Sequence, residues 1–200
     1  MIKVYGDMKS GNCYKIKLLL HLLELEYEWI FVDTMAGGTR TDEFTARNPN
    51  QKIPVVQLDN GEYLSESNAI LYYLADGSGW LPSDRLQRAR VIQWQCFEQY
   101  SHEPFIAVAR FIALYLGLPE DRRADYEAKQ QGGHRALGIM DRQLGKQDYL
   151  VGDIPSIADI SLYAYTHVAH EGGFDLGLYP NVQAWIQRIQ SLPNYCSMED

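Results

Sequence analysis

The apolar periodicity of this chain changes once, and the change divides it in two. From Ile2 to about Asp76 the pattern reads strand, helix, strand, a loop with a short helix, then strand, strand and helix; from Arg85 onward only the helical period recurs. An order of βαβ followed by ββα confines the first part to a small mixed sheet with helices on its faces, because the crossover between parallel strands is right-handed. The second part must bury its apolar stripes helix against helix. The break is Gly77 to Pro82, which holds two glycines, one tryptophan and one proline and suits a short connection. The expected architecture is therefore α/β plus all-α, with an N-terminal domain at 1–77 and an all-helical domain at 84–200.

Within the first part, Ile2-Lys3-Val4-Tyr5 opens as a strand. A helix runs from Gly11 to Glu24, with Ile16, Leu19, Leu20 and Leu23 at helical spacing, and Tyr27 to Val32 forms the next strand. Asp59-Asn60-Gly61 marks a tight turn between Val55–Leu58 and Glu62–Leu64. In the second part Arg85 to about Leu116 is too long for one ordinary helix, and Pro104 predicts a kink or break near His102-Glu103. Asp121 to Leu144 reads as another helix with Gly132-Gly133 as a weak point. A third begins at Ser156 and a fourth near Asn181, and Tyr195 to Asp200 reads as a loose tail.

Composition excludes several functions. With 46% apolar residues among 200 there is ample material for a core. A formal charge of −8 leaves no basic stripe for phosphates, which argues against nucleic acid and against anionic membrane surfaces as partners. No apolar run approaches the roughly 20 residues that span a bilayer, and the N-terminus enters a strand directly, so a cytoplasmic location is expected. The three cysteines, Cys13, Cys96 and Cys196, are odd in number and widely spaced, which rules out a disulfide framework or a Cys-x-x-Cys site. Of the five histidines only His167 and His170 share a helix face, with no matching third ligand, so no metal site is expected.

Two short motifs carry chemistry. In Asn50-Gln51-Lys52-Ile53-Pro54-Val55-Val56, a proline directly before a β-branched run can be held cis in a turn, with the backbone of Ile53 turned outward as an edge for an extended peptide. Eleven residues after Val55, Glu66 and Ser67 of Ser65-Glu66-Ser67-Asn68-Ala69-Ile70 open a helix. Its free N–H groups and dipole attract a carboxylate, while Glu66 can accept from an ammonium. A small peptide with a charge at each end fits both motifs. Lys52 as a solvated lysine and Glu66-Ser67 as a mere cap would explain either fragment alone, but not the two together and in order.

These residues resemble the glutathione site of the cytosolic glutathione transferase superfamily, and the likeness covers nearly the whole chain. The resemblance implies a thioredoxin-like first domain. It also implies that Lys52 faces the glycine carboxylate of glutathione, that Ile53 before Pro54 pairs with the cysteinyl backbone, and that Glu66 and Ser67 hold the γ-glutamyl end. Arg40, beside Thr39 in the loop before Phe44, falls where the family often places a second contact to the glycine carboxylate. Glu98 or Gln99 fall where a partner subunit often meets the γ-glutamyl amine. Gly152-Asp153-Ile154-Pro155-Ser156-Ile157-Ala158-Asp159 resembles the family's helix-capping signature; Ser156 with Asp159 forms a capping box with a folding role.

The sulfur would then point at the turn Gly6-Asp7-Met8-Lys9-Ser10-Gly11-Asn12-Cys13. A thiol is a poor nucleophile until ionised, and a hydroxyl with backbone N–H groups at a helix N-terminus stabilises the thiolate. Ser10 has that chemistry, as a donor rather than a nucleophile, and it can also serve as the helix N-cap. Asn12 can donate its amide to sulfur, and Ser10-Gly11-Asn12 resembles a pattern of some bacterial classes. Cys13 is the alternative, since a cysteine in a helix's first turn can form mixed disulfides with glutathione. Met8, His102, Phe105, Arg110 and Tyr115 fall where an electrophile pocket would have its walls, although core packing accounts for such residues more simply.

The function implied is that of a homodimeric detoxification enzyme, in which bound glutathione thiolate attacks a hydrophobic electrophile. Two alternatives stand beside it. One is a glutathione-dependent disulfide reductase or peroxidase. The other is a non-enzymatic interaction or stress-response protein that keeps the fold.

Overall fold

The computed structural model describes all 200 residues, Met1 to Asp200. They form two compact units, one of Met1–Ser78 together with Leu192–Asp200 and the other of Gly79–Ser191.

The first unit is built on strands β1 (Ile2–Gly6), β2 (Tyr27–Phe31), β3 (Val55–Gln57) and β4 (Tyr63–Ser65), with helices α1 (Gly11–Leu22), α2 (Asp42–Arg47) and α3 (Ser67–Ala75). The sheet order is β2-β1-β3-β4. β1 runs parallel to β2, with Ile2 opposite Tyr27, and antiparallel to β3, with Tyr5 opposite Val55. β3 and β4 are antiparallel with Val55 opposite Ser65, closed by a turn in which Gly61 takes φ 88°. This is the thioredoxin-like βαβ-ββα arrangement that the order of elements predicts.

Helix α1 is buried over nearly its whole circumference, Lys15 and Lys17 included. One layer over it is the C-terminal segment. Tyr14 donates its hydroxyl to Cys196 O at 2.8 Å, Lys17 Nζ donates to Ser197 O at 3.2 Å, and Cys196 and Met198 are buried. The expected loose tail at Tyr195–Asp200 is thus a docked segment. Its carbonyls meet donors on α1 that lie some 180 residues earlier and leave no local trace in the sequence.

The second unit contains α4 (Arg85–Phe97), α5 (Glu103–Arg110), α6 (Arg123–Leu144), α7 (Ile157–Thr166) and α8 (Pro180–Gln190). The interruption expected near His102 is a π-helical turn, Glu98–His102, placed directly before Pro104 at the start of α5. α6 runs unbroken through Gly132-Gly133. A Cβ on Gly132 would stand 2.2 Å from the Phe105 ring and one on Gly133 2.2 Å from the Phe174 ring. These glycines are sites of close packing instead of a weak point.

α7 begins as the capping box predicts. Asp159 accepts from the Ser156 N–H at 2.9 Å, and Ser156 Oγ accepts from Ala158 N at 3.3 Å. Asp159 also accepts from Leu150 N and from Trp185 Nε1, each at 2.9 Å, so one fully buried carboxylate ties the start of α7 to α8 and to the loop before it. No helix is long and apolar enough to cross a membrane.

Candidate functional site

The turn between β1 and α1 is closed by its own side chains. Lys9 N donates to Asp7 Oδ1 at 2.9 Å and Ser10 N to Asp7 O at 3.0 Å, which sets Ser10 at the N-cap of α1 with extended backbone angles. Ser10 Oγ accepts from Cys13 N at 3.4 Å. The serine therefore caps the helix and stands beside the first-turn N–H groups.

Cys13 faces the other way. It is fully buried, and a Cβ built on Gly6 would come within 2.7 Å of its sulfur, so the thiol lies over the β1 backbone. Burial pushes the Cys13 thiol up to about 12, against the pull of hydrogen bonds from the Ser10 side chain and the Asp7 backbone. A reactive cysteine needs exposure and a lowered pKa, and Cys13 has neither.

The second helix start belongs to α3. Its N-cap, Glu66, holds φ 69° and ψ 110°, and its side chain makes no capping bond to the first turn of α3. A non-glycine residue at such angles costs on the order of 1–3 kcal/mol, and residues of that kind cluster at functional sites. Glu66 is exposed and Ser67 is buried beneath it. Ser67 Oγ donates to Asn12 Oδ1 at 3.1 Å, and Lys15 Nζ donates to Asn12 Oδ1 at 2.7 Å and to Ser67 Oγ at 3.3 Å. The N-termini of α1 and α3 are thereby joined side chain to side chain, and two positive dipole ends stand together.

The Ile53–Pro54 peptide is cis. Pro54 is buried, and Ile53 packs partly against the cluster of Tyr5, Val32, Phe44 and Val55. The approach to this bond is held by Asn48, which is buried. Its side-chain amide donates to Lys52 O at 2.8 Å and its Oδ1 accepts from Asn50 N at 3.0 Å. Lys52 is exposed. Arg40 is exposed on a separate loop, at the end of the 3-10 turn Gly38–Arg40, next to buried Thr39. Lys15 and Asn48 carry no local sequence signal, yet both are buried and hold residues of the site by hydrogen bonds.

His102, Arg110 and Glu98, which the sequence offers as ligand contacts, are interior to the helical unit. His102 is fully buried with Nε2 2.8 Å from Thr166 Oγ1, and buried Arg110 pairs with Glu171. Glu98 is also fully buried and accepts from Gln99 Nε2 at 2.7 Å, so its carboxylate is closed off from the surface, whereas Gln99 is exposed. A separate open cavity of about 590 Å³ lies at the C-terminal end of α1 among Leu20, His21, Glu24, Tyr27 and Tyr195. It is at the far end of the helix from Ser10 and Asn12.

Two family models match the chain. The glutathione S-transferase N-terminal domain matches residues 1–76 and the glutathione S-transferase C-terminal domain matches residues 96–193. The chain therefore belongs to the glutathione S-transferase family. Its structure is similar to that of a glutathione S-transferase from Pseudomonas fluorescens, with TM-score 0.98 and 61% identity over 100% of this chain and 99% of the other. It resembles a second glutathione transferase family member from Pseudomonas fluorescens, solved with two glutathione bound, at 28% identity and TM-score 0.83, covering 96% and 89%. The disulfide-bond oxidoreductase YfcG of Escherichia coli is 33% identical over 92% of this chain and 88% of its own length.

Proposed function

We propose that this protein is a glutathione transferase that binds glutathione on its first unit and presents the thiolate to a small hydrophobic electrophile. The observation that carries the reading is the joining of the α1 and α3 N-termini through Asn12 and Ser67. In this reading the γ-glutamyl end lies at Glu66 and Ser67, the cysteinyl backbone runs beside Ile53 and Pro54, and Lys52 with Arg40 receives the glycine carboxylate. The sulfur reaches the α1 turn, where the Ser10 hydroxyl and the Asn12 amide donate to it and lower its pKa. Thiolate attack on an electrophilic carbon then forms the thioether and releases the leaving group or passes negative charge to the acceptor. A cytoplasmic homodimer is the expected form.

Disulfide chemistry is a second reading, supported by the similarity to YfcG. Because Cys13 is fully buried against the β1 backbone, the exchange would run on the thiolate of bound glutathione. That thiolate attacks a substrate disulfide, forms a mixed disulfide and expels the other sulfur as thiolate; a second glutathione resolves it to oxidised glutathione.

Calorimetric titration with reduced and oxidised glutathione, on the native protein and on Ser67→Ala, tests the site. Assays with an aryl halide and with hydroxyethyl disulfide separate the two chemistries. Failure of both forms of glutathione to bind would leave a non-enzymatic member of the fold.

A further inference from the structure

Lys15 is fully buried in the first turns of α1, where a lysine is costly unless its ammonium is hydrogen-bonded. Its Nζ lies 2.7 Å from Asn12 Oδ1 and 3.3 Å from Ser67 Oγ, and Ser67 Oγ lies 3.1 Å from the same Oδ1. We infer that Lys15 is a positioning residue for the glutathione sulfur, acting by fixing which way the Asn12 carboxamide faces. The inference rests on the proposed binding of glutathione at this site.

An ammonium has three donors and no acceptor, so the Asn12 atom that meets it must be the oxygen. The Ser67 hydroxyl, receiving one Lys15 hydrogen, turns its own hydrogen to that same oxygen. With two donors on Oδ1, a flip of the amide would set an NH2 group against an ammonium. The oxygen and nitrogen of a carboxamide lie on opposite sides of Cγ, so the NH2 is held away from Lys15 and Ser67.

Which side faces outward decides the chemistry. An outward NH2 donates to a thiolate and stabilises it, whereas an outward carbonyl oxygen repels it. Ser67 alone cannot settle the matter, because a hydroxyl accepts from an NH2 as readily as it donates to an oxygen. The lysine removes the second state. Lys15 thus acts through Asn12 on the protonation of a sulfur that it does not touch.

The test is the ultraviolet titration of the thiolate of bound glutathione in the native protein, Lys15→Met, Asn12→Ala and the double variant. Methionine keeps much of the lysine's volume and removes its donors. The midpoint is expected to rise by about one pH unit in Lys15→Met, and to move no further when Lys15→Met is added to Asn12→Ala. A lysine that merely fills space leaves the midpoint of Lys15→Met at the native value, and a lysine acting directly by its charge gives additive shifts; either result overturns the inference.

A measurement on the native protein stands if Lys15→Met does not fold. The Asn12 side-chain NH2 resonances are expected to titrate with the bound thiol and to stay constant with S-methylglutathione. NH2 resonances indifferent to thiol ionisation overturn the inference. Native protein that binds no glutathione overturns the functional reading and this one with it, whereas normal binding with an unmoved midpoint in Lys15→Met overturns this one alone.

Discussion

Ser67 donates to Asn12 across 3.1 Å, a bond between residues 55 positions apart that ties the start of α3 to the start of α1. Removing it breaks the link between the proposed γ-glutamyl subsite and the residues proposed to meet the sulfur. Ser67→Ala leaves the Lys15 ammonium and Asn12 with one partner fewer and should weaken glutathione binding by about 1–2 kcal/mol, roughly 5- to 30-fold in Kd. Isothermal titration reads this directly. An unchanged Kd in a folded variant would show that the α3 N-terminus does not serve the ligand.

Gly133 gives a prediction that runs against helix propensity. In an exposed helix, glycine to alanine gains about 1 kcal/mol. Here the added methyl would stand 2.2 Å from the Phe174 ring, in a cluster with Ile106, Leu137 and Tyr165. Overpacking of this kind costs about 1–3 kcal/mol, so the net effect of Gly133→Ala is destabilising. Urea denaturation checks the sign.

The C-terminal segment should matter for the first unit. Deleting Cys196–Asp200 removes two buried side chains, Cys196 and Met198, and the acceptors of Tyr14 and Lys17. The loss is about 2–4 kcal/mol from burial. Hydrogen exchange should become faster in α1 after truncation; unchanged protection of α1 would count against a structural role for the segment.

The features legible in the sequence were those that are locally encoded. Strand and helix order, the turn at Asn60-Gly61, the break before Pro104 and the Ser156–Asp159 box each depend on residues within one turn of one another. The ligand motif around Ile53-Pro54 and Glu66-Ser67 was legible because both fragments are short and their order is informative. Lys15 was not: a lysine at helical spacing reads as solvated, and only the closure of other elements over α1 reveals that it is buried. Gly132-Gly133 read as weak for a related reason, since propensity ignores the rings that need the space. Glu98 looked available for a partner subunit, but the π-helical turn that starts there goes with a carboxylate held inside the helical unit.

His167 makes stability depend on pH. Its ring stacks on Tyr163 at 4.5 Å, and its Nδ1 lies 2.9 Å from Tyr163 O. Burial pushes its pKa down from 6.5 to about 4, assisted by nearby Arg110 and His170 and opposed by the Tyr163 carbonyl and Glu171. The unfolded chain therefore takes up this proton at a higher pH than the folded protein does. The stabilisation is complete above pH 6.5 and is lost as pH falls toward 4, by at most about 3 kcal/mol. Thermal melts at pH 7 and pH 5 should show the loss in the native protein and a smaller one in His167→Phe. Equal losses in both would place the acid sensitivity elsewhere.

Cys13 and Ser10 are adjacent to the same turn, and opposite outcomes are expected for them. The Cys13 thiol, buried and raised to about 12, supplies no thiolate near neutral pH. Cys13→Ser should therefore keep conjugation and disulfide exchange within about threefold, the residual change coming from packing over Gly6. Ser10→Ala removes both the cap and the proposed donor to the glutathione sulfur. It should cost about 1 kcal/mol of stability and move the acid limb of the turnover profile up by about one pH unit. A cap without a catalytic role gives the stability loss alone, with the pH profile in place. Loss of activity in Cys13→Ser with normal glutathione binding would instead assign the chemistry to the cysteine and require the α1 turn to open in turnover.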